Sequence, residues 1–228
     1  MMKRMSILSA VVALFCAVFV SAADFKPLQQ GERIAFLGDS ITNGGFFLYY
    51  LQTMIGHTGA KLYNFGISGD RSDGGLRRID ILLQRGKPDR VAFFMGMNDV
   101  GRGTRNIPDN SDKTPDTELP KYLKIYKDST AECLRRTYKA NATAIMITPP
   151  AYDEYWPGCR KNALRSNTWG LTEVATMNKE FAREWNAPVI DLHPVITDAH
   201  DMTSDMIHPN DQGAAKMAKT IADAIKKD

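Results

Sequence analysis

Arg33-Ile34-Ala35-Phe36-Leu37-Gly38-Asp39-Ser40-Ile41-Thr42 is the stretch that decides how this chain folds. A short apolar run, Arg33–Leu37, stops at Gly38, and a polar turn follows it. The same layout recurs along the sequence. Strand-like runs lie at Lys61–Phe65, Arg90–Met95, Thr143–Thr148 and Pro188–Leu192. Helix-like segments separate them: Gly44–His57, Ser72–Arg85, Glu118–Lys139 and Thr168–Trp185, with a last amphipathic helix at Asp211–Lys227. Within Ser72–Arg85 the apolar residues Leu76, Ile79, Leu82 and Leu83 keep a helical period. Strands alternating with helices predict an α/β fold with a parallel sheet and helices on both faces. Runs such as Val91-Ala92-Phe93-Phe94-Met95 agree, because parallel sheets are buried on both sides. Ligands of such open sheets bind beyond the carboxyl ends of the strands, so the residues just after each strand carry the functional signal.

Composition sets the outer limits. At 228 residues, 43% hydrophobic and 24% charged, the chain has ordinary globular content, which excludes a disordered tail, a collagen and a coiled-coil rod. The formal charge of +3 is spread along the sequence, and no basic stripe points to nucleic acid. Lys3 and Arg4 precede an apolar run, Ile7 to Val20, and Ser21-Ala22-Ala23 closes it. This three-part layout predicts a secretory signal peptide over residues 1–23 and a working domain over 24–228. The apolar run falls short of the ~20 residues of a spanning helix, so the expectation is secretion or periplasmic residence without stable membrane insertion. Loss of Lys3 and Arg4 lowers the charge to +1. Two cysteines remain, Cys133 in a helical pattern and Cys159 in a loop. An oxidising compartment permits a bridge between them, and two separate thiols are the other reading.

After the first strand comes Gly38-Asp39-Ser40-Ile41-Thr42, and after the second Asn64-Phe65-Gly66-Ile67-Ser68-Gly69-Asp70. After the third comes Gly96-Met97-Asn98-Asp99, and near the end Asp205-Met206-Ile207-His208-Pro209. With these four motifs in order, the chain resembles the SGNH, or GDSL, hydrolase family over nearly the whole of residues 24–228. The resemblance implies a flavodoxin-like three-layer sandwich with strand order 2-1-3-4-5, and ester hydrolysis without a cofactor. It implies Ser40 as nucleophile, His208 as base and Asp205 as the carboxylate that orients it. The oxyanion donors it implies are the backbone N–H groups of Ser40 and Gly69 and the side-chain amide of Asn98. The chemistry suits these types. A serine hydroxyl attacks only when a base takes its proton, neutral imidazole does this near pH 7, and a carboxylate fixes the imidazole tautomer. Gly69 suits a donor that approaches substrate, because no Cβ stands in the way.

Each residue also has a plainer use. Ser40 suits a helix cap, Gly69 a turn and Asn98 a loop cap. His193 follows Asp191 in a segment that mimics the later motif, and reads as structural. Asp39 and Asp99 read as holding the loops. Asp191, His193, Asp198, His200, Asp201, Asp205, His208 and Asp211 crowd one stretch, an alternative site for a hydrolytic metal. That alternative leaves Ser40, Gly69 and Asn98 unexplained. A non-catalytic carbohydrate-binding module is a third reading, and the intact motif set speaks against it. Gly38-Asp39-Ser40-Ile41-Thr42 fails the Gly-x-Ser-x-Gly elbow at its last position.

For the substrate, the long segment Ala151–Asn167 carries Tyr152, Tyr155 and Trp156, then Arg160, Lys161 and Arg165. Aromatic faces suit sugar rings and Arg suits carboxylate or sulfate, so Tyr152 and Trp156 are the candidate substrate contacts. Neither long loop carries an extended apolar stretch for a fatty chain. The expected substrate is a short acyl ester, acetyl foremost, on a carbohydrate. The alternative is a lysophospholipase or acyl-thioesterase.

Overall fold

The computed structural model describes residues 25–104, 118–152, 167–195 and 202–226. Its sheet has five parallel strands: β1 (Arg33–Gly38), β2 (Lys61–Gly66), β3 (Arg90–Phe94), β4 (Thr143–Ile147) and β5 (Val189–Ile190). They stand in the order β2-β1-β3-β4-β5, the flavodoxin-like arrangement. β3 is buried along its whole length and β1 at all but Arg33, whereas β2 forms a partly exposed edge. Gly38 pairs in register with Gly66 on one side and Phe94 on the other, so the first three strands end level with one another.

Among the described residues, seven α-helices accompany these strands: α1 (Ser40–Gly44), α2 (Phe46–Ile55), α3 (Ser72–Gly86), α4 (Met97–Gly103), α5 (Leu119–Lys139), α6 (Thr172–Glu184) and α7 (Asp211–Ile225). α2 packs against α7 on one face; α3, α5 and α6 pack in sequence on the other. Right-handed crossovers from each strand to the next account for this division. Phe47 of α2 shows how a helix seats on the sheet. Its ring meets Phe36 of β1 at 5.8 Å and Phe94 of β3 at 5.7 Å, both edge to face. Burial of such a side chain contributes roughly 1.5–3 kcal/mol, and each aromatic pair roughly 0.5–1.5 more.

The boundaries depart from the sequence reading in informative places. The helix expected over Gly44–His57 is two helices, because Gly45 takes φ +76° and its N–H bonds back to the Thr42 carbonyl. That left-handed conformation is open to glycine at no steric cost and ends α1. The strand expected over Pro188–Leu192 shrinks to Val189–Ile190. Thr148 N–H still bonds the Ile190 carbonyl, but Pro149 has no N–H to extend the ladder. The Thr148 hydroxyl takes over, accepting from the N–H groups of Leu192 and His193, each at 2.9 Å. The helix expected over Thr168–Trp185 begins with a wide π-turn, Asn167–Leu171, before α6. Helix α4 went unmarked in the sequence, where only its motif residues stood out.

Candidate active site

Ser40 lies two residues past the end of β1, at the first position of α1. Its neighbour Asp39 caps that helix: the Asp39 Oδ1 accepts the Ile41 N–H at 3.0 Å. The capping use of Ser40 is therefore taken by Asp39, and the Ser40 hydroxyl is left to bond elsewhere. It meets His208 Nε2 at 2.8 Å. His208 Nδ1 in turn lies 2.7 Å from Asp205 Oδ2. With Nδ1–H donating to the carboxylate, Nε2 is the acceptor for the serine proton.

Asp205 uses both oxygens. Oδ1 accepts the N–H groups of Ile207 and His208 at 3.1 and 2.7 Å, and Oδ2 faces the imidazole. Burial raises the Asp205 carboxyl, and these bonds outweigh it, so the group sits below the ordinary carboxylate range. The loop that holds the pair is tightly tied. Ser204 N–H bonds the His208 carbonyl at 2.8 Å, Asn210 N–H bonds the Met202 carbonyl at 3.0 Å, and Thr203 bridges Pro209. Met206 sits at φ +75°, a left-handed conformation that costs a residue with a Cβ roughly 1 kcal/mol or more. Asn210 anchors the loop to α7, its Oδ1 accepting the N–H groups of Gln212 and Gly213.

Gly69 falls in the turn after β2, which closes with Asp70 N–H on the Ile67 carbonyl at 3.1 Å. The backbone adds its own reason for glycine. A Cβ there would meet nothing within 4 Å; the need is the backbone, at φ +75°. Asn98, near the start of α4, donates one N–H of its amide to the Asp70 carbonyl at 2.9 Å, which ties α4 to the Gly69 turn. Asn43 of α1 reaches the same turn through Ser68 Oγ at 3.1 Å. Ser40, Gly69, Asn98, Tyr152 and His208 line one cavity of about 300 Å³, shared with Met97, Arg102 and Ile207.

Asp39 and Asp99 hold this frame from below. Asp99 is buried and accepts the N–H and hydroxyl of Ser72, the latter at 2.6 Å, which binds α4 to the start of α3. Burial pushes its carboxyl up to about 6 and that of Asp39 to about 7. Arg78, unremarked in the sequence, proves central to the same frame. Its guanidinium donates to the Gly38 carbonyl at 2.8 Å, the Phe65 carbonyl at 3.0 Å and Asp70 at 3.0 Å. It thereby clamps the ends of β1 and β2 to the Gly69 turn.

His193 is placed apart from this chain of bonds. Its Nδ1 faces the Pro149 carbonyl at 3.1 Å and its Nε2 the Thr172 hydroxyl at 3.5 Å, in keeping with a structural part. Asp191 pairs with Lys179 at 2.6 Å. Among the described residues no three His, Cys, Asp or Glu side chains gather as a metal site. Asp198, His200 and Asp201 lie outside those residues, as do Trp156, Tyr155, Arg160, Lys161, Arg165, Cys159 and residues 1–24. Cys133 is buried in α5, and burial pushes its thiol up to about 12. Among the described residues no helix is long and apolar enough to cross a membrane.

The flavodoxin-like sheet thus bears one hydroxyl–imidazole–carboxylate chain at its carboxyl edge. The chain belongs to the GDSL-like lipase/acylhydrolase family, a family of carboxylic ester hydrolases, whose model matches residues 36–216. An acetylxylan esterase of Xylanibacter ruminicola is 28% identical over 88% of this chain. The match spans 44% of that longer relative. An arylesterase of Vibrio mimicus is 26% identical over 96% of this chain and 98% of its own length. In fold, a catalytic mutant of an acetylxylan esterase from Geobacillus stearothermophilus superposes with a TM-score of 0.69. It is 20% identical, and the match covers 89% of this chain and 98% of that one.

Proposed function

We propose that this protein is an exported serine esterase that removes short acyl groups, acetyl foremost, from carbohydrates. The observation that carries the reading is the continuous chain Ser40 Oγ–His208 Nε2 and His208 Nδ1–Asp205 Oδ2, at 2.8 and 2.7 Å, opening on one cavity with Gly69 and Asn98. Ser40 Oγ attacks the ester carbonyl while His208 Nε2 takes its proton. Asp205 stabilises the imidazolium without itself being protonated. The developing oxyanion is met by three donors. Ser40 N–H has no intrahelical acceptor at its helix position. Gly69 N–H donates to no acceptor among the described residues. The second N–H of the Asn98 amide completes the set, and each donor in such a site is worth roughly 2.7–4 kcal/mol in the barrier. His208 then returns the proton to the departing sugar hydroxyl. Water, activated by the same imidazole, frees the acyl group from Ser40.

The cavity of about 300 Å³ supports a short acyl group, as do the names of the two acetylxylan esterases that the chain resembles. Residues 1–23 support export through their charged, apolar and small-residue segments. The test is a series of p-nitrophenyl esters of rising chain length beside acetylated xylan. An extra methylene in a tight pocket shifts specificity by roughly 1–3 kcal/mol, so kcat/KM falls steeply from acetate to octanoate and acetate is released from the xylan. A preference for octanoate, with no acetate released from the glycan, would reject the carbohydrate reading and keep the serine esterase.

A further inference from the structure

Beside the catalytic cavity lies a second one of about 200 Å³, which Gly69, Asp70, Arg71, Asp73, Arg77 and Arg102 line. Gly69 and Arg102 line both, so the two cavities adjoin one another. The charges in the second cavity do not balance. Asp70 is already held by Arg78 at 2.8 Å, both side chains being 14% exposed. Asp73 alone serves Arg71 and Arg77, each at 3.0 Å, and these two guanidiniums keep it ionised. Arg102, exposed in the last turn of α4, has no ion-pair partner among the described residues. Among the described residues, three guanidiniums of this cavity thus face a single available carboxylate. Arg71 is also fixed from its other side, over the Tyr122 ring at 5.1 Å. The Nε and Nη2 of Arg71 are spent on Asp73, so Arg71 lends the site a fixed positive charge, while the fork of Arg102 matches carboxylate or sulfate oxygens.

We infer that this second cavity is an anion subsite, in which Arg102, backed by Arg71 and Arg77, binds a carboxylate or sulfate on the alcohol side of the ester. The inference rests on the short-acyl carbohydrate reading of the neighbouring cavity. An acetyl group carries no charge and is too short to leave the Ser40 cavity, so the anion belongs to the sugar. The favoured substrate class is therefore an acetylated acidic glycan, with a uronate or a sulfate near the acetylated ring.

The test reads binding separately from turnover of the glycan. Hydrolysis of p-nitrophenyl acetate is inhibited with three acetyl-free oligosaccharides of one length: neutral, uronate-bearing and sulfated. A charge-assisted hydrogen bond predicts that an anionic oligosaccharide inhibits the wild type about tenfold more strongly than the neutral one. The gap closes to about twofold or less in Arg102→Gln and narrows in Arg77→Gln, whose side chain is 69% exposed and whose loss the fold tolerates. It also narrows at about 0.5 M salt, where exposed charges are screened. A gap for both anions, or for one of them, supports the subsite and names its ligand. Equal inhibition by all three in the wild type, or a gap untouched in both variants, overturns the subsite and leaves the esterase reading standing. Failure of all three to inhibit overturns the subsite and the carbohydrate reading together.

Discussion

The two ends of the sheet make opposite use of charge. At the amino end a cavity of about 480 Å³ opens among Lys26, Glu32, Asp89, Arg90, Tyr138 and Trp185, larger than the one at Ser40. Its central charges are spent on each other. Arg90 and Glu32, both 8% exposed, meet through two bonds at 2.5 and 3.1 Å, and Arg90 also donates to the Lys26 and Pro27 carbonyls. Asp89 is taken by Arg33. At the carboxyl end the cavity is smaller, yet groups are left with capacity to bond: the Ser40 hydroxyl on its base, the Gly69 N–H and half of the Asn98 amide. On the proposed mechanism the reacting end is marked by unspent hydrogen-bonding capacity and not by volume.

The contrast is broken most forcefully at His208. His208→Ala is expected to lower kcat by roughly three to six orders of magnitude, as loss of a triad member does. His193→Ala, which removes a bond to the Pro149 carbonyl, keeps most of the activity. Steady-state kinetics on p-nitrophenyl acetate separate the two, and the reverse ranking would transfer the base to the Asp191 segment.

At the amino end the expected loss falls on stability. Arg90→Met strands the Glu32 carboxylate in a buried position, which costs roughly 3–5 kcal/mol. Chemical denaturation reads this loss, while kcat per folded molecule stays near the wild-type value. A fall in kcat without a fall in stability would tie the amino end to catalysis.

A smaller effect comes from Asp39. Its folded carboxyl holds a proton up to about 7, whereas the unfolded group releases it near 4. The folded state thus binds more protons between these values. On this group's account stability is greatest below pH 4, declines as pH rises and levels off above 7. Asp39→Asn keeps an oxygen for the Ile41 N–H and carries no charge to bury. It is expected to raise stability at pH 8 by on the order of 1 kcal/mol or more, and to flatten the slope between pH 4 and 7. Melting curves across that range check it; an unchanged slope would show that the wild-type carboxylate is solvated in the fold.

How far the sequence showed all this follows from how local each determinant is. β1 and β3 were legible because their residues are apolar on both faces. The Asp205–His208 pair entered through the resemblance and suited a shared turn; in the structure His208 Nδ1 lies 2.7 Å from Asp205 Oδ2. Strand order entered through the family resemblance, since no local pattern fixes which strands pair. The division of labour between Asp39 and Ser40 was hidden, because both types cap helices and only the fold orients one inward. Arg78 was hidden for a related reason. Its charge on a helical segment reads as a solvated face, yet crossing from α3 to the ends of β1 and β2 makes it a clamp. Arg102 was hidden likewise, because its importance lies in which cavities meet at it.

On the proposed mechanism Ser40 carries the acyl group. A fluorophosphonate reacts only with a serine that a base has activated, and the modified peptide is identified by mass spectrometry. One added phosphonyl group is expected on the peptide containing Ser40, absent in Ser40→Ala, whose fold stays intact by circular dichroism. Label on another serine, or equal labelling of wild type and Ser40→Ala, would contradict it.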